Sequence, residues 1–196
     1  MSVPEDRSQR GLVERAQRGD EEAFARLVSS RLDASWRFVR AVGGDAVDPD
    51  DVVQEAFVTV WRDLPQLRDP TAFEPWLRMV LVHATRHAIR RRGPVRLIPI
   101  STDAPPEASA RRFTIRADDL VDPQREPGAA LASRDSLARA LGRLSIDERT
   151  VLVLHYLEGY PLASISALIR RPLGTVKSRL HSARAALQAA LRAEDR

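Results

Sequence analysis

The amino-acid sequence predicts an all-α protein in which two small helical domains are joined by a long linker. Long segments rich in Ala, Leu, Arg and Glu carry apolar residues at steps of three and four, which is typical of amphipathic helices. Between two such blocks, residues 93–133 contain six prolines and no sustained periodicity, which indicates a linker. We therefore expect a first domain over residues 1–92 and a second over residues 134–196, and 43% apolar residues suffice for two small cores.

The first predicted helix begins after Asp20. This residue type caps helix N-termini, and the acidic residues that follow it in DEEAFARLV suit the positive end of the helix dipole. Gly43 and Gly44 end the pattern. The segment is therefore expected to form one amphipathic helix, because its apolar residues recur at steps of three and four: Phe24, Leu27, Val28, Leu32, Trp36, Val39 and Val42.

Two further helices are expected in the first domain. One begins near Asp48, with proline and acidic residues in its first turn, and carries the apolar positions of VVQEAFVTVW. The other begins near Pro70 and runs through FEPWLRMVLVHATRHAIRRR until Gly93 and Pro94 end it. Pro75 falls inside this last pattern, which allows a kink or a break into two helices at that residue.

The second domain has the pattern of a helix-turn-helix protein. A capping sequence at residues 145–148, SIDE, starts one helix, and Gly159 ends it. Pro161 opens a short helix, and Pro172 opens a longer and more basic one. A short helix, a tight turn and a longer basic helix together form the helix-turn-helix motif.

The last helix separates an apolar stripe from a polar face. At about 100° per residue, the stripe that must pack on preceding helices contains Val176, Leu180, Ala183, Leu187 and Leu191. Basic and hydroxyl side chains lie on the outward face, where they can contact base edges and phosphates of a DNA major groove. Because such motifs read bases with the start of the second helix, the base-facing candidates are Thr175, Lys177, Ser178, His181 and Ser182. The candidate phosphate contacts are Arg179 and Arg184, and a solvated amphipathic helix is the alternative at this point.

Charge is strongly segregated along the chain, although the formal net charge is only +4. Residues 1–74 carry ten basic and fifteen acidic side chains, whereas residues 75–102 carry six arginines and no acidic residue. Residues 170–196 carry seven basic and two acidic side chains. Two separate basic surfaces favour two contacts with a polyanion such as nucleic acid, and for either block alone a solvated basic face is the alternative.

The sequence argues against several other classes of function. It contains no cysteine, which excludes disulfides and thiolate metal sites and fits a cytoplasmic location. No segment approaches the roughly 18 apolar residues of a membrane span, and the N-terminus lacks a secretory apolar core, so no membrane insertion is expected. The four histidines do not cluster with carboxylates, and no phosphate-binding glycine loop or nucleophile elbow occurs. We therefore expect no metal ion, no cofactor, no catalytic residue and no enzymatic activity.

The first basic block combines arginines with aromatic side chains. Trp76 lies in the same predicted helix as Arg78, Arg86 and the run of arginines at residues 90–92. Basic residues that follow a strand, together with aromatic rings that stack on bases, are typical of single-strand capture. Purely structural roles are also compatible with this block, because Trp76 can belong to the core and arginines at a helix C-terminus interact favourably with the helix dipole.

Three motifs, in order along the chain, resemble bacterial RNA polymerase sigma factors of the extracytoplasmic-function group. DDVVQEAFVTVW at residues 50–61, followed by FEPWLRMVLVHATRHAIRRR, is similar to their region two. LGRLSIDERTVLVLHYLEGYPLASISALIRRPLGTVKSRLHSARAAL at residues 141–187 is similar to their region four, and GDEEAFARLV at residues 19–28 to their opening helix. The resemblance covers nearly the whole chain except the linker and the termini.

The resemblance implies a protein that directs core RNA polymerase to the promoters of an alternative or stress-type regulon. In this group a helix of region two docks on the clamp helices of the largest polymerase subunit, which carries over to Asp51, Gln54, Glu55, Phe57 and Trp61. The next helix opens and reads the minus-ten element, which carries over to Trp76, His83, Arg86, His87, Arg90, Arg91 and Arg92. Region four reads the minus-thirty-five element as duplex, in agreement with the outward face of the last helix. The resemblance also implies an anti-sigma factor as a partner.

Three positions depart from the family's pattern. His83 and His87 stand where the minus-ten reading helix commonly has Asn and Asp, and Arg170 stands in the helix-turn-helix turn where Gly is frequent. A positive backbone φ at Arg170 would be strained. The alternative hypothesis is a one-component helix-turn-helix regulator that binds duplex DNA without polymerase and is indifferent to substitution of Asp51 or Gln54.

Overall fold

The structure is a computed structural model that describes residues 9–91 and 140–194, and every regular element within these ranges is helical. The predicted all-α class is therefore confirmed, whereas the predicted linker lies outside the described residues. None of the helices in the two ranges is long and apolar enough to cross a membrane. The helices are α1 (Gln9–Gln17), α2 (Glu21–Gly43), α3 (Pro49–Asp63), α4 (Phe73–Arg91), α5 (Ile146–Tyr156), α6 (Leu162–Leu168) and α7 (Leu173–Glu194).

Side-chain caps fix the helix starts that the sequence predicts. The Asp20 carboxylate accepts a hydrogen bond of 3.0 Å from the Ala23 N–H at the start of α2. Asp48 caps α3 in the same way, and Ser145 and Glu148 form a complete capping box at the start of α5. Each cap satisfies backbone N–H groups that have no partner inside the helix, and contributes about 1 kcal/mol. The three predicted starts are confirmed.

Pro75 does not break the helix that contains it. Residues Pro70–Ala72 form a short 3-10 turn capped by Asp69, and this turn leads directly into α4. Pro75 is the third residue of α4, within the first turn, where the missing N–H costs little. The sequence allows a kink or a break at this residue, but α4 runs continuously from Phe73 to Arg91.

Helix α1 is an element that the sequence patterns do not predict. It has only nine residues, and its buried side chains are Val13 and Ala16, so it shows little helical periodicity. Its contacts are partly polar, since the Gln17 amide donates to the carbonyl oxygens of Leu64 and Leu67 at 3.2 and 2.6 Å. These bonds tie α1 to the turn that follows α3.

The apolar residues of α2 divide between two surfaces instead of forming one buried face. Leu27, Val39 and Val42 are fully buried in the core, together with Phe38. Leu32, by contrast, is 46% exposed, because it lies on a side of α2 that no other described helix covers. The predicted amphipathic helix is confirmed, and the structure adds that part of its apolar side stays open.

The second domain folds as the predicted helix-turn-helix and packs against the first. Helix α7 buries Val176, Leu180 and Ala183 against α5 and α6, as its apolar stripe predicts. The side chain of Leu191, the last member of that stripe, lies outside the described residues. Helix α5 also contacts α2, and α6 contacts α4, so that one apolar cluster contains residues of both domains.

Candidate nucleic-acid and protein interfaces

The outward face of α7 is exposed as the sequence predicts. Helix α7 begins directly after Pro172, and its buried stripe turns the remaining positions toward solvent. The Ser178 hydroxyl donates to the Thr175 carbonyl at 3.0 Å, so its oxygen is still free to accept. The predicted contact residues that are exposed in the structure are Lys177, Ser178, His181, Ser182 and Arg184.

Thr175 and Arg179 differ from the other predicted contact residues, because both are only partly exposed. The Arg179 guanidinium forms an ion pair with Asp147 of α5, with Nη2 2.6 Å from Oδ2. Its Nη1 atom is buried and has no hydrogen-bond partner among the described residues. In this arrangement Arg179 is directed into the protein, so the expectation that it faces a DNA phosphate does not hold while the two residues are paired.

The turn of the helix-turn-helix forces Arg170 into a left-handed conformation. Its φ is +51°, and among the described residues it is the non-glycine residue with a positive φ. The Arg171 N–H bonds to the Ser166 carbonyl at 3.0 Å and the Arg170 N–H to the Ala167 carbonyl at 3.3 Å. This pair of bonds is the Schellman motif, which requires a left-handed residue just after the helix. Arg170 therefore has the positive φ that the sequence analysis gives as the condition for strain.

Helix α4 presents His83 on its exposed side and turns Arg86 toward the second domain. The Arg86 guanidinium lies 2.8 Å from the Asp147 carboxylate, and its side chain is only 14% exposed. Trp76 is half-buried and packs on Phe73, with 6.2 Å between the ring centroids. Trp76 therefore belongs partly to the core, which is one of the structural roles compatible with the sequence.

The surroundings of His83 lower the pKa of its imidazole and so favour the neutral form. Partial burial lowers the pKa of the imidazole, and the positive charges of Arg86, Arg170 and Arg90 lower it further. Arg170 belongs to the helix-turn-helix turn, so this effect includes a charge from the other domain. A neutral imidazole carries one donor and one acceptor, which is the combination that reads a base edge.

The last turn of α4 is paired with α3. The Arg91 guanidinium lies 2.6 Å from the Glu55 carboxylate, and the His87 Nδ1 lies 3.4 Å from the same carboxylate. The sequence assigns Glu55 to polymerase and the two basic residues to DNA, whereas the structure brings all three together. Arg90 is exposed, and Arg92 lies outside the described residues.

An apolar groove of about 910 Å³ lies between α2 and α3. Of the residues predicted to contact polymerase, Gln54, Phe57 and Trp61 line this groove, whereas Asp51 and Glu55 do not. Phe57 is only 7% exposed, so it forms the floor rather than a projecting contact. The full set of lining residues is Glu21, Phe24, Val28, Leu32, Asp33, Trp36, Asp50, Val53, Gln54, Phe57, Val58 and Trp61.

Half of this groove comes from α2, and sequence reasoning misses that half. Phe24 and Trp61 contact each other across it, with 4.7 Å between their ring centroids and their planes tilted by 55°, and Val58 is 63% exposed at its edge. Exposed apolar side chains gathered in one groove indicate a protein-binding surface. The sequence did contain a signal for this half of the groove. Apolar residues occur on more than one side of α2, and Phe24, Val28 and Leu32, which are four positions apart, mark the side that lines the groove.

The fold and these surfaces define a two-domain helical protein with a helix-turn-helix, of the kind that binds duplex DNA through the second helix of the motif. The model for sigma-70 region 2 matches residues 27–95, and the model for sigma-70 region 4 matches residues 134–187. The two matched segments are separated by residues 96–133.

Comparison with characterised proteins gives the same result over nearly the whole chain. The RNA polymerase sigma-H factor of Pseudomonas aeruginosa is 33% identical over 184 residues, which cover 92% of each chain. The ECF RNA polymerase sigma-E factor of Escherichia coli K12 is 31% identical over 90% of each chain. The structure of CnrH in complex with the cytosolic domain of CnrY aligns with a TM-score of 0.63 at 27% identity, covering 94% of this chain and 97% of that one.

The chain belongs to the extracytoplasmic-function group of RNA polymerase sigma factors. Its function is that of a sigma factor, which directs promoter-specific transcription initiation. The matches favour this interpretation over a one-component regulator, because both sigma regions are present and in order.

Proposed function

We propose that this sigma factor binds core RNA polymerase through the groove between α2 and α3, and contacts promoter DNA through α4 and α7. The groove carries the proposal, because it gathers exposed apolar side chains beside the acidic residues of the first domain. A helical partner fits such a groove by inserting apolar side chains at helical spacing. The clamp helices of the largest polymerase subunit, which are implied by family resemblance, have this form.

The two DNA contacts have different chemistry. On α7, exposed Lys177, Ser178, His181 and Ser182 supply donors and acceptors for a duplex major groove, which is the proposed minus-thirty-five contact. On α4, His83 and the half-buried Trp76 are proposed to contact the minus-ten element, and the lowered pKa of His83 favours its neutral form there. Bases that leave the stack offset part of their unstacking free energy when a protein surface receives them.

In this proposal the protein has no catalytic activity of its own. It works in the cytoplasm, as a specificity subunit of polymerase, and polymerase performs the nucleotidyl transfer. An anti-sigma factor is a further proposed partner, supported by the solved complex of CnrH with the cytosolic domain of CnrY. The groove and the adjacent surface of the first domain are where a helical inhibitor would compete with polymerase.

A single substitution in the groove tests the proposal. Val58→Glu places a charge at a position that is 63% exposed, so folding should be unchanged. Binding of the labelled protein to core polymerase should weaken by at least tenfold, about 1.4 kcal/mol, because the charge must be desolvated in the complex. Run-off transcription from promoters mapped with the unsubstituted protein should fall accordingly.

Ala25→Glu is the matched control for this experiment. Ala25 lies on the exposed side of α2 and does not line the groove, and the substitution introduces the same charge. It should leave polymerase binding and transcription unchanged. Equal binding of both variants to core polymerase would refute the groove assignment, and the absence of any promoter-specific transcript with core polymerase would refute the proposed function as a whole.

A further inference from the structure

Helix α1 packs against the connection between α3 and α4, residues 64–72. This connection contains two short 3-10 turns, Leu64–Gln66 and Pro70–Ala72, and α1 contacts both of them. Helix α4, which carries Trp76 and His83 of the proposed minus-ten surface, begins directly after the second turn. The conformation of the α3–α4 connection therefore sets where α4 starts.

The first turn of the α3–α4 connection is held by the Gln17 side chain at the end of α1. The Gln17 amide nitrogen donates to the Leu64 carbonyl oxygen at 3.2 Å and to the Leu67 carbonyl oxygen at 2.6 Å. A glutamine amide has two N–H donors on one nitrogen, so a single side chain can bridge two carbonyl groups. Glutamate has the same shape, but in its ionised form it only accepts hydrogen bonds. The bridge is therefore specific for a side chain that donates.

The first turn of α4 is held by a ring of three side chains. The Glu74 carboxylate accepts a hydrogen bond of 2.8 Å from the Gln9 amide of α1 and another from the Arg31 guanidinium of α2. Arg31 also donates to the Gln9 side-chain oxygen at 2.8 Å, which closes the ring. The side chains of Arg31 and Glu74 are 27% and 33% exposed, so water competes with these bonds only in part. The ring joins α1, α2 and α4 two residues before Trp76.

These contacts lie outside the groove that is proposed to bind polymerase. The residues that line the groove belong to α2 and α3, and none of them comes from α1 or from the α3–α4 connection. The buried side chains of α1 are Val13 and Ala16, so this helix adds little apolar area to the core. Its hydrogen bonds are directional, and they fix the geometry of the backbone that they contact.

We propose that Gln17 and Gln9 are positioning residues for minus-ten recognition, because they hold the α3–α4 connection and the first turn of α4 in the arrangement that presents Trp76 and His83 to promoter DNA. The inference rests on the proposed function for the role of α4, whereas the contacts of α1 are independent of it. Without these contacts the connection samples other arrangements, and only the fraction of molecules in the original arrangement binds the minus-ten element.

Gln17→Glu and Gln17→Met test the proposal in the full chain, and Gln188→Met is the control. Glu keeps the shape of the glutamine side chain and Met keeps its length, but neither donates a hydrogen bond to Leu64 or Leu67. Gln188 is exposed in the C-terminal part of α7, far along that helix from its start. The change from Gln to Met at this position should therefore have no effect on the minus-ten contact.

The first measurement is hydrogen exchange over residues 64–76. The Leu67 and Ala72 N–H groups are bonded to the carbonyls of Leu64 and Asp69 within the two turns, at 3.1 and 3.0 Å. Exchange of peptides from this segment should be about tenfold faster in Gln17→Glu than in Gln188→Met, because the loss of two hydrogen bonds makes local opening easier. Peptides from α2 and α3 should exchange as before, which distinguishes a local effect from a general loss of stability.

The second measurement is the contribution of the minus-ten element to promoter binding. Holoenzyme formed from core polymerase and each variant is titrated with a promoter mapped with the unsubstituted protein, and with the same promoter carrying a scrambled minus-ten element. The ratio of the two affinities isolates the minus-ten contribution, and an effect of added charge cancels in it. This ratio should fall by about fivefold or more in Gln17→Glu and Gln17→Met, but not in Gln188→Met. Affinity for core polymerase should be the same in all variants.

Gln9→Met opens the ring at the other end of α1 and provides a second test. It should change the hydrogen exchange and the affinity ratio in the same direction as the Gln17 variants. It also serves if the Gln17 variants lower the thermal stability of the whole fold.

The outcomes separate this inference from the proposed function. An unchanged affinity ratio in both Gln17→Glu and Gln9→Met would overturn the positioning role, even if the two promoters lost affinity equally. Unchanged hydrogen exchange over residues 64–76 in both variants would show that α1 does not hold the connection. The absence of promoter-specific transcription by the unsubstituted protein would instead contradict the proposed function, and hydrogen exchange would still test the contacts of α1.

Discussion

Arg170 is held in a backbone conformation that a non-glycine residue does not favour. The left-handed region costs a non-glycine residue about 1 kcal/mol or somewhat more, because Cβ approaches the following carbonyl. The Schellman bonds of Arg170 and Arg171 fix the angle between α6 and α7, so the turn cannot relax without moving α7. The positive charge of Arg170 also acts on His83 across the domain interface, where it contributes to lowering the pKa of the imidazole after partial burial and Arg86.

Arg170→Gly should stabilise the protein. Removing Cβ relieves the strain at φ +51°, and we expect the free energy of unfolding to rise by up to about 1 kcal/mol in urea denaturation. Arg171→Gly is the matched control at the next position, where φ is not positive, and should lower that free energy by about 0.5 kcal/mol through chain entropy. Equal losses of stability in the two variants would contradict the assignment of strain to Arg170.

Lys177 and Arg184 should affect DNA binding in different ways. Lys177 is exposed near the start of α7, where side chains reach base edges, so Lys177→Ala should change the preferred upstream sequence at a cost of about 1–3 kcal/mol for the original one. Arg184→Ala should weaken binding to all sequences and reduce the salt slope by about one. Binding measured over a set of promoter variants at several salt concentrations distinguishes the two effects, and an unchanged salt slope for Arg184→Ala would refute a phosphate contact.

At the scale of elements, α2 serves two surfaces at once. Leu27, Val39 and Val42 face the core, while Leu32 and its neighbours line the groove with α3. A hydrophobic pattern reports only that side chains avoid water, and does not say whether the surface that covers them belongs to the same chain. The sequence therefore locates α2 correctly but cannot separate its core face from its binding face.

Two identical substitutions in α2 should separate these faces. Leu27→Ala removes a side chain that is 1% exposed and should lower the free energy of unfolding by about 2–5 kcal/mol. Leu32→Ala changes a side chain that is 46% exposed, so stability should change by less than about 0.5 kcal/mol, while binding to core polymerase weakens. Unfolding and polymerase-binding titrations give the two readouts. A Leu32 variant that binds polymerase normally would exclude the α2 side of the groove from the interface.

At the scale of the whole molecule, the Arg149 side chain of the second domain packs against the C-terminal end of α2. Its Nη2 donates to the Leu144 carbonyl at 3.1 Å, and its guanidinium lies against Gly44, where a Cβ would collide with it. A cation at the C-terminal end of α2 interacts favourably with the helix dipole. Burial lowers the pKa of Arg149, and the attraction of Asp45 opposes this shift. Gly44 thus allows the close approach of the two domains.

Gly44→Ala should therefore disturb domain packing. At Gly44 φ is +59° and ψ −143°, a conformation that a residue with a Cβ adopts only with strain of about 1–3 kcal/mol, and the added Cβ displaces the Arg149 guanidinium. We expect a lower free energy of unfolding and a broader distance distribution between labels on α2 and α7. Gly142→Ala is the control, because nothing lies within 4 Å of its added Cβ, and it should be neutral or slightly stabilising. Indistinguishable behaviour of the two variants would show that Arg149 does not depend on Gly44.

Local sequence patterns suffice to predict the all-α class, the starts of α2, α3 and α5, the helix-turn-helix and the outward face of α7. These features depend on contacts within a few residues, such as the cap at Asp20 and the capping box at Ser145, so local patterns encode them. Helix α1 is not encoded in this way, because it is short and buries few apolar side chains.

The packing of the helices in three dimensions, by contrast, determines which charges meet and which apolar side chains stay open to a partner. Arg86, Asp147 and Arg179 are separated along the sequence by 61 and 32 residues, and their pairing depends on how the second domain approaches the first. Ion pairs and grooves arise from the geometry of packed helices. The local sequence around an arginine does not identify its ion-pair partner, because any of several carboxylates would serve equally well. The distribution of polar and apolar residues around each helix can therefore be predicted from the sequence, whereas the contact partners of its side chains are determined when the helices pack.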